Sequence, residues 1–482
     1  MRKNIILALA ALLSLPMWGV TVASQPGELS TLITDHSVTS LKVTGGMDAR
    51  DFKFIAERLD SLQEIDLSEV VISAYVDNYA PVLGGENRFE AASIPCTSFF
   101  GKPLTSVVLP ASLKSVGFAA FAGCDRLTAI NIPASVDSIA GYAFSSTGLT
   151  TLSLPATVKT VGNGAFSRCA SLASATVASA TIGNEAFYAD STLASLTLGA
   201  EVKTIGDAAF KACSALSTLS VEGTGISSLG AEAFAYTSLS SLDLSTQTSL
   251  TAIHDWALAK SQLTTVVLPA STSMMGDGVF FYSTLLESAN LPTAITEVPA
   301  FTFAGAEALA TDSILPASAV KMGDFSFYNA CALTSFVVPA SMQRIGTMAM
   351  AGTTGMQVIK VYTTYVPELG DSVWAGVDQP RVNLDVKSAK AAHLFETTDQ
   401  WKEFHILKDY IMGDVNGDGL LDVSDVSAMI SYVLGDVPDP FIIEVADLTG
   451  DGNIDISDVT TLIEYVLEGK IIVIRRTPKP QF

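Results

Sequence analysis

A seven-residue segment of the form Leu-Thr-x-Val-x-Leu-Pro recurs along most of this chain, and it limits the possible folds more than any other feature. Clear copies begin at Leu104, Leu149 and Leu263. The twelve copies start at intervals of 21 to 24 residues, at Leu104, Leu127, Leu149, Leu172, Leu193, Leu216, Leu239, Leu263, Leu286, Leu309, Leu333 and Met356. A period near 23 residues is typical of proteins in which each repeat forms one turn of a coil.

Each copy predicts a strand followed by a turn. Apolar residues occupy offsets 0, 3 and 5, and since successive strand residues face opposite sides, offsets 3 and 5 point inward while offsets 2 and 4 point out. An Ile or Val and then a Gly follow, as in Ile205-Gly206. Five residues after that Ile comes a large apolar residue: Phe121, Phe144, Phe166, Phe187, Phe210, Phe234, Leu258, Phe280, Phe303, Phe327 and Met350.

This spacing predicts a leucine-rich-repeat solenoid, a β-rich right-handed coil of about 12 repeats of ~23 residues. One repeat cannot bury its apolar face alone, whereas stacking on both neighbours gives a continuous core. The column of large apolar residues is therefore interpreted as core, with stacking of sugars or aromatic ligands as the alternative. The outward strand positions, such as Ser106, Thr151 and Ser195, offer no acid, base or nucleophile.

The composition excludes several classes of function. The chain of 482 residues has 27 basic and 49 acidic side chains, a net charge of −22, which disfavours nucleic acid and anionic membranes because binding there depends on Lys and Arg. The charged share of 16% is too low for a disordered or coiled-coil chain. The strands show no recurring carboxylate pair, and the four His show no metal or triad spacing, so we predict that the protein is not an enzyme.

The amino end has the pattern of a secretory signal peptide, predicted over residues 1–24. Arg2 and Lys3 precede an apolar run, and Val22-Ala23-Ser24 supplies small residues for cleavage. A membrane anchor is the alternative, but the run is shorter than the ~20 residues that a spanning helix needs. The chain is therefore predicted to be secreted or held at the cell surface, with no membrane insertion. Its five Cys predict no disulfide framework.

The remaining segments complete the predicted domain organisation. Residues 25–103 are predicted to form an amino-terminal cap with a strand, a helix over Asp48–Leu59 and a first irregular repeat. An insert over 71–91 in this repeat is our candidate for a partner contact. Repeats follow over 104–355, and 356–410 is predicted to be the carboxyl-terminal cap.

These motifs resemble the BspA-like leucine-rich repeat family of bacterial surface and secreted proteins. The resemblance rests on Leu-Thr-x-Val-x-Leu-Pro with a following Ile-Gly-x-x-Ala-Phe, and it covers roughly residues 30–408. It implies a non-enzymatic extracellular protein that adheres to host or matrix proteins. Several repeats depart from the pattern, as where Val298-Pro299 replaces Ile-Gly.

The segment 412–470 is strongly acidic, with thirteen acidic residues and one basic residue. Oxygen donors occur at the spacing of an EF-hand-type calcium loop, with Gly419 or Gly452 at position 6. We therefore predict two calcium ions, each held by one loop. The predicted ligands are Asp414, Asn416, Asp418, the carbonyl of Leu420, Asp422 and Asp425 in the first loop, and Asp447, Thr449, Asp451, the carbonyl of Asn453, Asp455 and Asp458 in the second.

An amphipathic helix is predicted after each loop, with Ser424 and Ser457 as the caps. The apolar stripes of the two helices are expected to pack face to face. They consist of Val426, Met429, Ile430, Val433 and Leu434 in the first helix, and Val459, Leu462, Ile463, Val466 and Leu467 in the second.

Two loop–helix units in tandem are similar to a type I dockerin, a small all-α calcium-binding module that docks onto cohesin domains in carbohydrate-degrading assemblies. The likeness covers residues 411–470, with 471–482 as a tail. It implies that positions 10 and 11 of each loop contact the partner, here Val423, Ser424, Ile456 and Ser457. Thr449 stands where Asn or Asp is usual, which predicts a weaker second site.

The sequence therefore predicts a secreted, non-catalytic interaction protein. The repeats would bind a host or matrix protein or a glycan, and the carboxyl-terminal module would dock, with calcium, to a cohesin-like or other extracellular protein. The alternative is an accessory, non-catalytic component of an extracellular polysaccharide-degrading complex.

Overall fold

The computed structural model describes residues 19–311, 314–386 and 389–476. Residues 1–18 of the predicted signal peptide lie outside the described residues. The chain forms two compact units, one up to Val202 and one from Lys203 onward.

The first unit consists mainly of short strands. Its helices are α1 (Leu29–Leu32) and α2 (Ala49–Arg58). Its strands are β1 (Val20–Ser24), β2 (Ser40–Met47), β3 (Glu64–Ile72), β4 (Tyr75–Val76), β5 (Arg88–Phe89), β6 (Ser93–Ile94), β7 (Ser106–Val108), β8 (Ser115–Val116), β9 (Ser138–Ile139), β10 (Thr151–Ser153), β11 (Thr160–Val161), β12 (Ser174–Val177), β13 (Thr181–Ile182) and β14 (Ser195–Leu198).

The second unit continues the same pattern and ends in a small helical module. Its strands are β15 (Thr204–Ile205), β16 (Thr218–Val221), β17 (Ser228–Leu229), β18 (Ser241–Asp243), β19 (Ala252–Ile253), β20 (Thr265–Val267), β21 (Met274–Met275), β22 (Ser288–Ala289), β23 (Glu297–Val298), β24 (Lys321–Met322), β25 (Ser335–Val338), β26 (Arg344–Ile345), β27 (Val358–Val361), β28 (Glu368–Leu369), β29 (Asn383–Val386), β30 (His405–Ile411) and β31 (Val473–Arg476). Its helices are α3 (Ala389–Thr397), α4 (Val423–Val433) and α5 (Ile456–Glu468), with 3-10 turns at Gln379–Arg381 and Ile443–Val445.

A typical repeat supplies two short strands that pair in parallel with the equivalent strands of its neighbours. The Leu-Thr-x-Val-x-Leu segment gives one row, in which β10 pairs with β12 and β12 with β14. The Ile-Gly segment gives the second row, in which β9 pairs with β11 and β17 with β19. Parallel pairing between successive turns is the geometry of a β-solenoid, so the predicted fold class is confirmed in both units.

The predicted column of large apolar residues is the core. Its phenylalanines are buried, as are Leu258 and Met350. Within the first unit the rings of Phe121, Phe144 and Phe166 stack with centroids 5.1 and 5.2 Å apart. Since this spacing is set by the distance between parallel strands, the column packs as a continuous stack and leaves no ring face for a ligand.

The glycine after each Ile or Val lies where adjacent turns approach most closely. A Cβ on Gly162 would lie 2.5 Å from the backbone nitrogen of Gly141, and one on Gly230 would lie 2.4 Å from the carbonyl carbon of Gly206. Neither Gly162 nor Gly230 has a positive φ. Close approach of two backbones, and not turn geometry, therefore explains the Ile-Gly pair.

The next residue is often Asp or Asn, and its side chain bonds to the following turn. Oδ1 of Asp255 accepts the N–H of Asp277 at 2.9 Å, and Oδ1 of Asp277 accepts the N–H of Ala300 at 3.0 Å. Asp324 does the same for the N–H of Thr347. These carboxylates satisfy backbone donors that the short strands leave without a ladder partner.

Two positions in each turn hold non-glycine residues in the left-handed region. The third residue after the Ile or Val has φ of 52° at Ala208 and 58° at Trp256, and the seventh has φ of 61° at Tyr236. Residue types as different as Ala and Trp occur at the third position, so the backbone there does not demand a particular side chain. A non-glycine residue costs roughly 1 kcal/mol in this region.

None of the five cysteines forms a disulfide bond, as predicted. Cys124 and Cys169 are buried at one fixed place in their repeats, and Asp190 occupies the same place. Oδ1 of Asp190 accepts the N–H of Cys169 at 2.7 Å, whereas its Oδ2 is buried with no hydrogen-bond partner among the described residues. Burial raises the pKa of Asp190 well above its ordinary value.

The amino-terminal cap forms much as predicted. Helix α2 begins after Asp48, whose side chain accepts from the helix start in a capping box with Asp51. The structure also places Val20–Ser24, given to the signal peptide by the sequence analysis, in β1, which pairs in parallel with β2. The insert 71–91 contains the β4–β5 hairpin.

The parallel sheet does not stop at residue 355. Strands β27, β29 and β30 extend it through the segment predicted to be a cap. Strand β30 runs across the predicted boundary at 410 and 411, and β31 from the tail pairs with it in an antiparallel register. Within the described ranges, no helix is long and apolar enough to cross a membrane.

Candidate metal centre and docking surface

The first acidic loop closes around Asp414. The N–H of Asp418 donates to Oδ1 of Asp414 at 3.1 Å, and the N–H of Gly419 donates to Oδ2 at 3.0 Å. Asp425, at position 12, accepts from the N–H groups of Asn416 and Asp422 at 3.2 and 3.0 Å. The loop therefore folds so that its first and last carboxylates face its interior.

The second loop repeats this arrangement 33 residues later. Oδ1 of Asp447 accepts from the N–H of Asp451 at 3.2 Å, and Oδ2 accepts from that of Gly452 at 2.9 Å. Asp458 accepts from the N–H of Asp455 at 2.9 Å and from Thr449 through both N–H and hydroxyl, at 3.0 and 3.2 Å. Thr449 thus lies with the other predicted ligands, although it donates where Asn416 offers an amide oxygen to the N–H of Asp418.

Position 6 of each loop requires glycine. Gly419 and Gly452 have φ of 86° and 88°. An L side chain rarely adopts such a conformation, so the glycines give the loop its sharp turn.

The burial of carboxylates indicates how the first loop would accept a cation. Asp414 and Asp425 are both buried, and burial followed by the nearby charge of Asp425 raises the pKa of Asp414 to about 6. Burial also raises the pKa of Asp425. Carboxylates held together in this way lose free energy when ionised unless a cation neutralises them, and hard oxygen donors suit Ca²⁺.

The two position-1 carboxylates differ in electrostatics. Burial acts upward on the pKa of Asp447, but the N–H groups of Gly452, Gly450 and Asp451 outweigh it and the pKa is lowered. In the part of the chain that the structure describes, no three His, Cys, Asp or Glu side chains converge tightly enough to hold a metal ion. The predicted ligand set also uses Asn, Thr and carbonyl oxygens, and it stays a prediction.

The helices after the loops are capped by Asp422 and Asp455, not by Ser424 and Ser457 as predicted. Each Asp accepts from the N–H of the Ser two residues on, and the position-12 Asp completes a capping box. Loop position 9 is followed at once by the helix, so the residue that precedes the first helical residue is the Asp. The Ser lies inside the first turn, where its hydroxyl donates to the same carboxylate.

The module has a small apolar core. It is formed by Tyr410, Val415, Met429, Val445, Ala446, Val459 and Leu462. Val426, Val433 and Val466 pack against this core while partly buried. The inner members of the predicted stripes thus meet as expected.

The outer members of the same stripes face solvent, contrary to prediction. Ile430 and Ile463 are each 39% exposed, and Leu434 and Leu467 are 79% and 80% exposed. Together with Val423 and Ile456, at 70% and 68%, they occupy positions i, i+7 and i+11 of each helix, which lie on one side. We call these two sets, Val423/Ile430/Leu434 and Ile456/Ile463/Leu467, the docking faces.

Matched exposure at equivalent positions distinguishes the docking faces from scattered surface apolar residues. The sequence analysis found Val423 and Ile456 through the family resemblance but assigned the other four residues to the core. The available signal was the number of apolar positions, since a two-helix core of this size buries only Met429, Val459 and Leu462 from both helices.

The insert 71–91, predicted to contact a partner, is partly anchored to the protein. Val82, Leu83 and Phe89 are buried, and the thiol of Cys96 donates to the carbonyl of Leu83 at 3.2 Å. Tyr79 at its tip is almost fully exposed. The contact itself remains a prediction.

Two known families match the sequence. The BspA type leucine rich repeat region matches residues 92–217, 180–310 and 320–408, and the dockerin type I domain matches residues 412–467. Both are typically non-catalytic and occur in extracellular or cell-surface bacterial proteins. Dockerin type I domains bind calcium. No curated protein sequence matches the chain.

Solved structures of leucine-rich repeat proteins are similar in fold. A leucine-rich repeat protein from Bacteroides ovatus has 19% identity and a TM-score of 0.58, with 81% of this chain and 92% of that chain covered. A leucine rich cell surface protein from Faecalibacterium prausnitzii has 20% identity and a TM-score of 0.35 over 71% and 83% of the two chains. The leucine rich repeat protein of T. pallidum has 29% identity and a TM-score of 0.27 over 30% and 69%.

Proposed function

Because the chain belongs to the family of BspA-type leucine-rich repeat proteins and carries a type I dockerin domain, we propose that it is a secreted, non-catalytic interaction protein. Its repeats present a binding surface, and its dockerin attaches that surface to a cohesin-like extracellular partner. The observation that carries this proposal is the pair of docking faces, each beside one acidic loop.

The dockerin residues have separate roles in the proposal. Asp414, Asp425, Asp447 and Asp458 close the loops and fix the start of each helix through the hydrogen bonds described above. When bound, calcium supplies the positive charge that these carboxylates need. The docking faces then lie on helices whose first turns are held by the loops, so that their apolar side chains are fixed in position before a partner arrives.

The duplication has a consequence for docking. The two faces have the same residue spacing and nearly the same exposure, so a partner that fits one also fits the other. We expect Leu434→Asp alone to weaken docking by a small factor, because the second face is intact. Leu434→Asp combined with Leu467→Asp is expected to abolish docking, since a buried unpaired charge is strongly unfavourable at an interface.

A pull-down tests the proposal. The tagged full chain is exposed to proteins secreted by its native host, with calcium or with EGTA, and captured proteins are identified by mass spectrometry. We expect a cohesin-like partner that is captured only with calcium and is lost with the Leu434→Asp/Leu467→Asp variant. Ser431→Asp, on the same helix outside the docking faces, is the matched control. Capture that survives EGTA or the double variant would contradict the proposal.

The alternative, an accessory role in a polysaccharide-degrading complex, uses the same dockerin and differs only in what the repeats hold. It requires that the repeats bind a glycan.

A further inference from the structure

A set of aromatic side chains interrupts the small polar surface of the repeats in the second unit. We call it the aromatic patch, and it consists of Trp256, Phe281, Tyr282, Phe301, Phe325 and Tyr328. Tyr282 is exposed and the other five are partly exposed. These residues come from neighbouring repeats and do not belong to the buried column.

The rings contact one another across the repeats. Ring centroids of Phe301 and Phe325 lie 5.1 Å apart with nearly parallel planes, and Trp256 lies 5.9 Å from Phe301. Phe281 lies 4.9 Å from Trp256 and is turned by 89° to it, and its ring is 4.5 Å from that of Tyr282. The rings therefore form one apolar surface that offers differently oriented edges and faces.

The fold does not require these side chains. Trp256, Phe301 and Phe325 occupy the third position after the Ile or Val, where other repeats carry Ala119 and Ala208 in the same left-handed conformation. Repeats with Ala there have the same strands and the same buried column. Large partly exposed rings that contribute nothing to the repeat geometry indicate a binding surface.

A depression of about 620 Å³ borders the patch. Ala300 and Asp324 line it, and the next residues in the chain are Phe301 and Phe325. The charged side chains that line it are three carboxylates and two cations: Asp277, Glu297, Asp324, Lys321 and Arg344.

The charges of this depression are largely paired. Lys321 lies 3.5 Å from Glu297, and Arg344 lies 2.8 Å from Glu368. Asp277 and Asp324 each use one oxygen on a backbone N–H. A surface with balanced donors and acceptors does not attract a strongly charged partner, which needs a field of one sign. It suits a neutral ligand whose groups both donate and accept hydrogen bonds.

We propose that the aromatic patch and its bordering depression bind a neutral polysaccharide chain. A sugar ring has apolar C–H faces that pack against aromatic rings, and its hydroxyls donate to carboxylates and accept from Lys and Arg. This inference rests on the proposed function, because it names the ligand class of the repeat surface.

The test is binding of the full-length protein to soluble polysaccharides, measured by affinity electrophoresis and calorimetry. The probes are starch, xyloglucan, arabinoxylan and glucomannan as neutral polymers, with polygalacturonate as an anionic one. We expect binding to at least one neutral polymer and at least a tenfold loss of affinity in the Trp256→Ala/Phe325→Ala variant. Ala is already present at this position in other repeats, so the variant is expected to fold, which circular dichroism checks.

Tyr142→Ala, at the same position in the first unit, is the matched control and is expected to leave binding unchanged. The inference is overturned if no neutral polymer binds, if only polygalacturonate binds, if the double variant binds as well as the wild type, or if the patch captures a protein and no glycan. Calcium-dependent capture through the docking faces is measured separately, so the proposed function can fail or stand independently of this result.

Discussion

The repeats and the dockerin are stabilised in different ways. In the repeats, each turn buries a Phe between the rings of its neighbours, and carboxylates such as Asp255 accept backbone N–H groups at the surface. In the dockerin, seven buried residues form the core, and buried carboxylates such as Asp414 and Asp425 lie close together. The repeats thus gain stability from stacking alone, whereas the dockerin needs a cation to offset its own charges.

The difference also separates the two binding roles. A stacked coil tolerates many residues at its surface positions, so a binding patch can be added without changing the fold. The dockerin has few residues, and Asp422 and Asp425 serve both the loop and the helix cap. Its binding surface is therefore coupled to its stability, and that of the repeats is not.

The largest expected effect comes from the buried column. Phe166 stacks between Phe144 and Phe187 at 5.2 and 5.3 Å, so Phe166→Ala should lower the free energy of unfolding of the repeats by about 3–5 kcal/mol. Urea unfolding measures this, and calcium titration of the same variant should be unchanged. The control, Tyr79→Ala, alters an exposed side chain and should stay within about 0.5 kcal/mol of the wild type. Altered calcium binding in Phe166→Ala would show that the two regions are not independent.

The next effect sharpens the comparison from the other side. Asp414→Ala removes a buried carboxylate that accepts two loop N–H groups, so calcium affinity at the first loop should fall by at least about tenfold. Asp436→Ala, an exposed residue outside both loops, should leave it unchanged. Isothermal titration calorimetry compares the two variants, and equal effects would reject the ligand assignment.

A pH experiment examines the one buried, partly unpaired carboxyl in the repeats. The pKa of Asp190 is raised by burial, so between the ordinary pKa of an Asp and this raised value the unfolded chain releases a proton that the folded chain keeps. The stability of the folded state therefore falls as pH rises through this window, and it is highest below it. Asp190→Asn should remove this pH dependence, with a gain on the order of 1 kcal/mol at neutral pH.

Urea unfolding at several pH values measures the difference between Asp190→Asn and the wild type. The variant keeps an oxygen that can accept from Cys169. A gain that is largest at acid pH would have the wrong sign and would contradict the burial argument.

The smallest effect concerns the second loop. Thr449→Asp adds a carboxylate at position 3, so calcium affinity there should rise severalfold, because ligand charge tunes the affinity of such loops. Asn453→Asp adds the same charge at position 7, where the carbonyl is the predicted ligand, and should change affinity less. Calorimetry separates them, and a larger gain for Asn453→Asp would mean that position 3 is not a ligand.

The sequence predicts the repeats well because their periodicity reports core packing directly. The strands, the buried column and the Asp48-capped helix all follow from apolar spacing. The aromatic patch does not, since Trp256 and Phe325 break no pattern and their proximity depends on stacking of repeats that are about 23 residues apart. The left-handed backbone at these positions also has no sequence signal, because Ala208 and Trp256 share it.

In the dockerin, the loops are predictable and the surface is less so. Ligand spacing identifies Asp414 and Asp447, but periodicity cannot tell a buried apolar residue from an exposed one when a helix packs against a single neighbour. Leu434 and Leu467 were therefore assigned to the core. The shared strand β30 was also missed, because a strand that continues across a change in composition leaves no break in its apolar pattern.

Hydrogen exchange of the full chain, with calcium and with EGTA, tests the central contrast in one sample. The account predicts that amides of α4 and α5 are protected with calcium and exchange fast in EGTA, while amides of the repeat strands between residues 104 and 355 are protected equally in both. Helices that stay protected without calcium, or repeats that lose protection with it removed, would contradict the account.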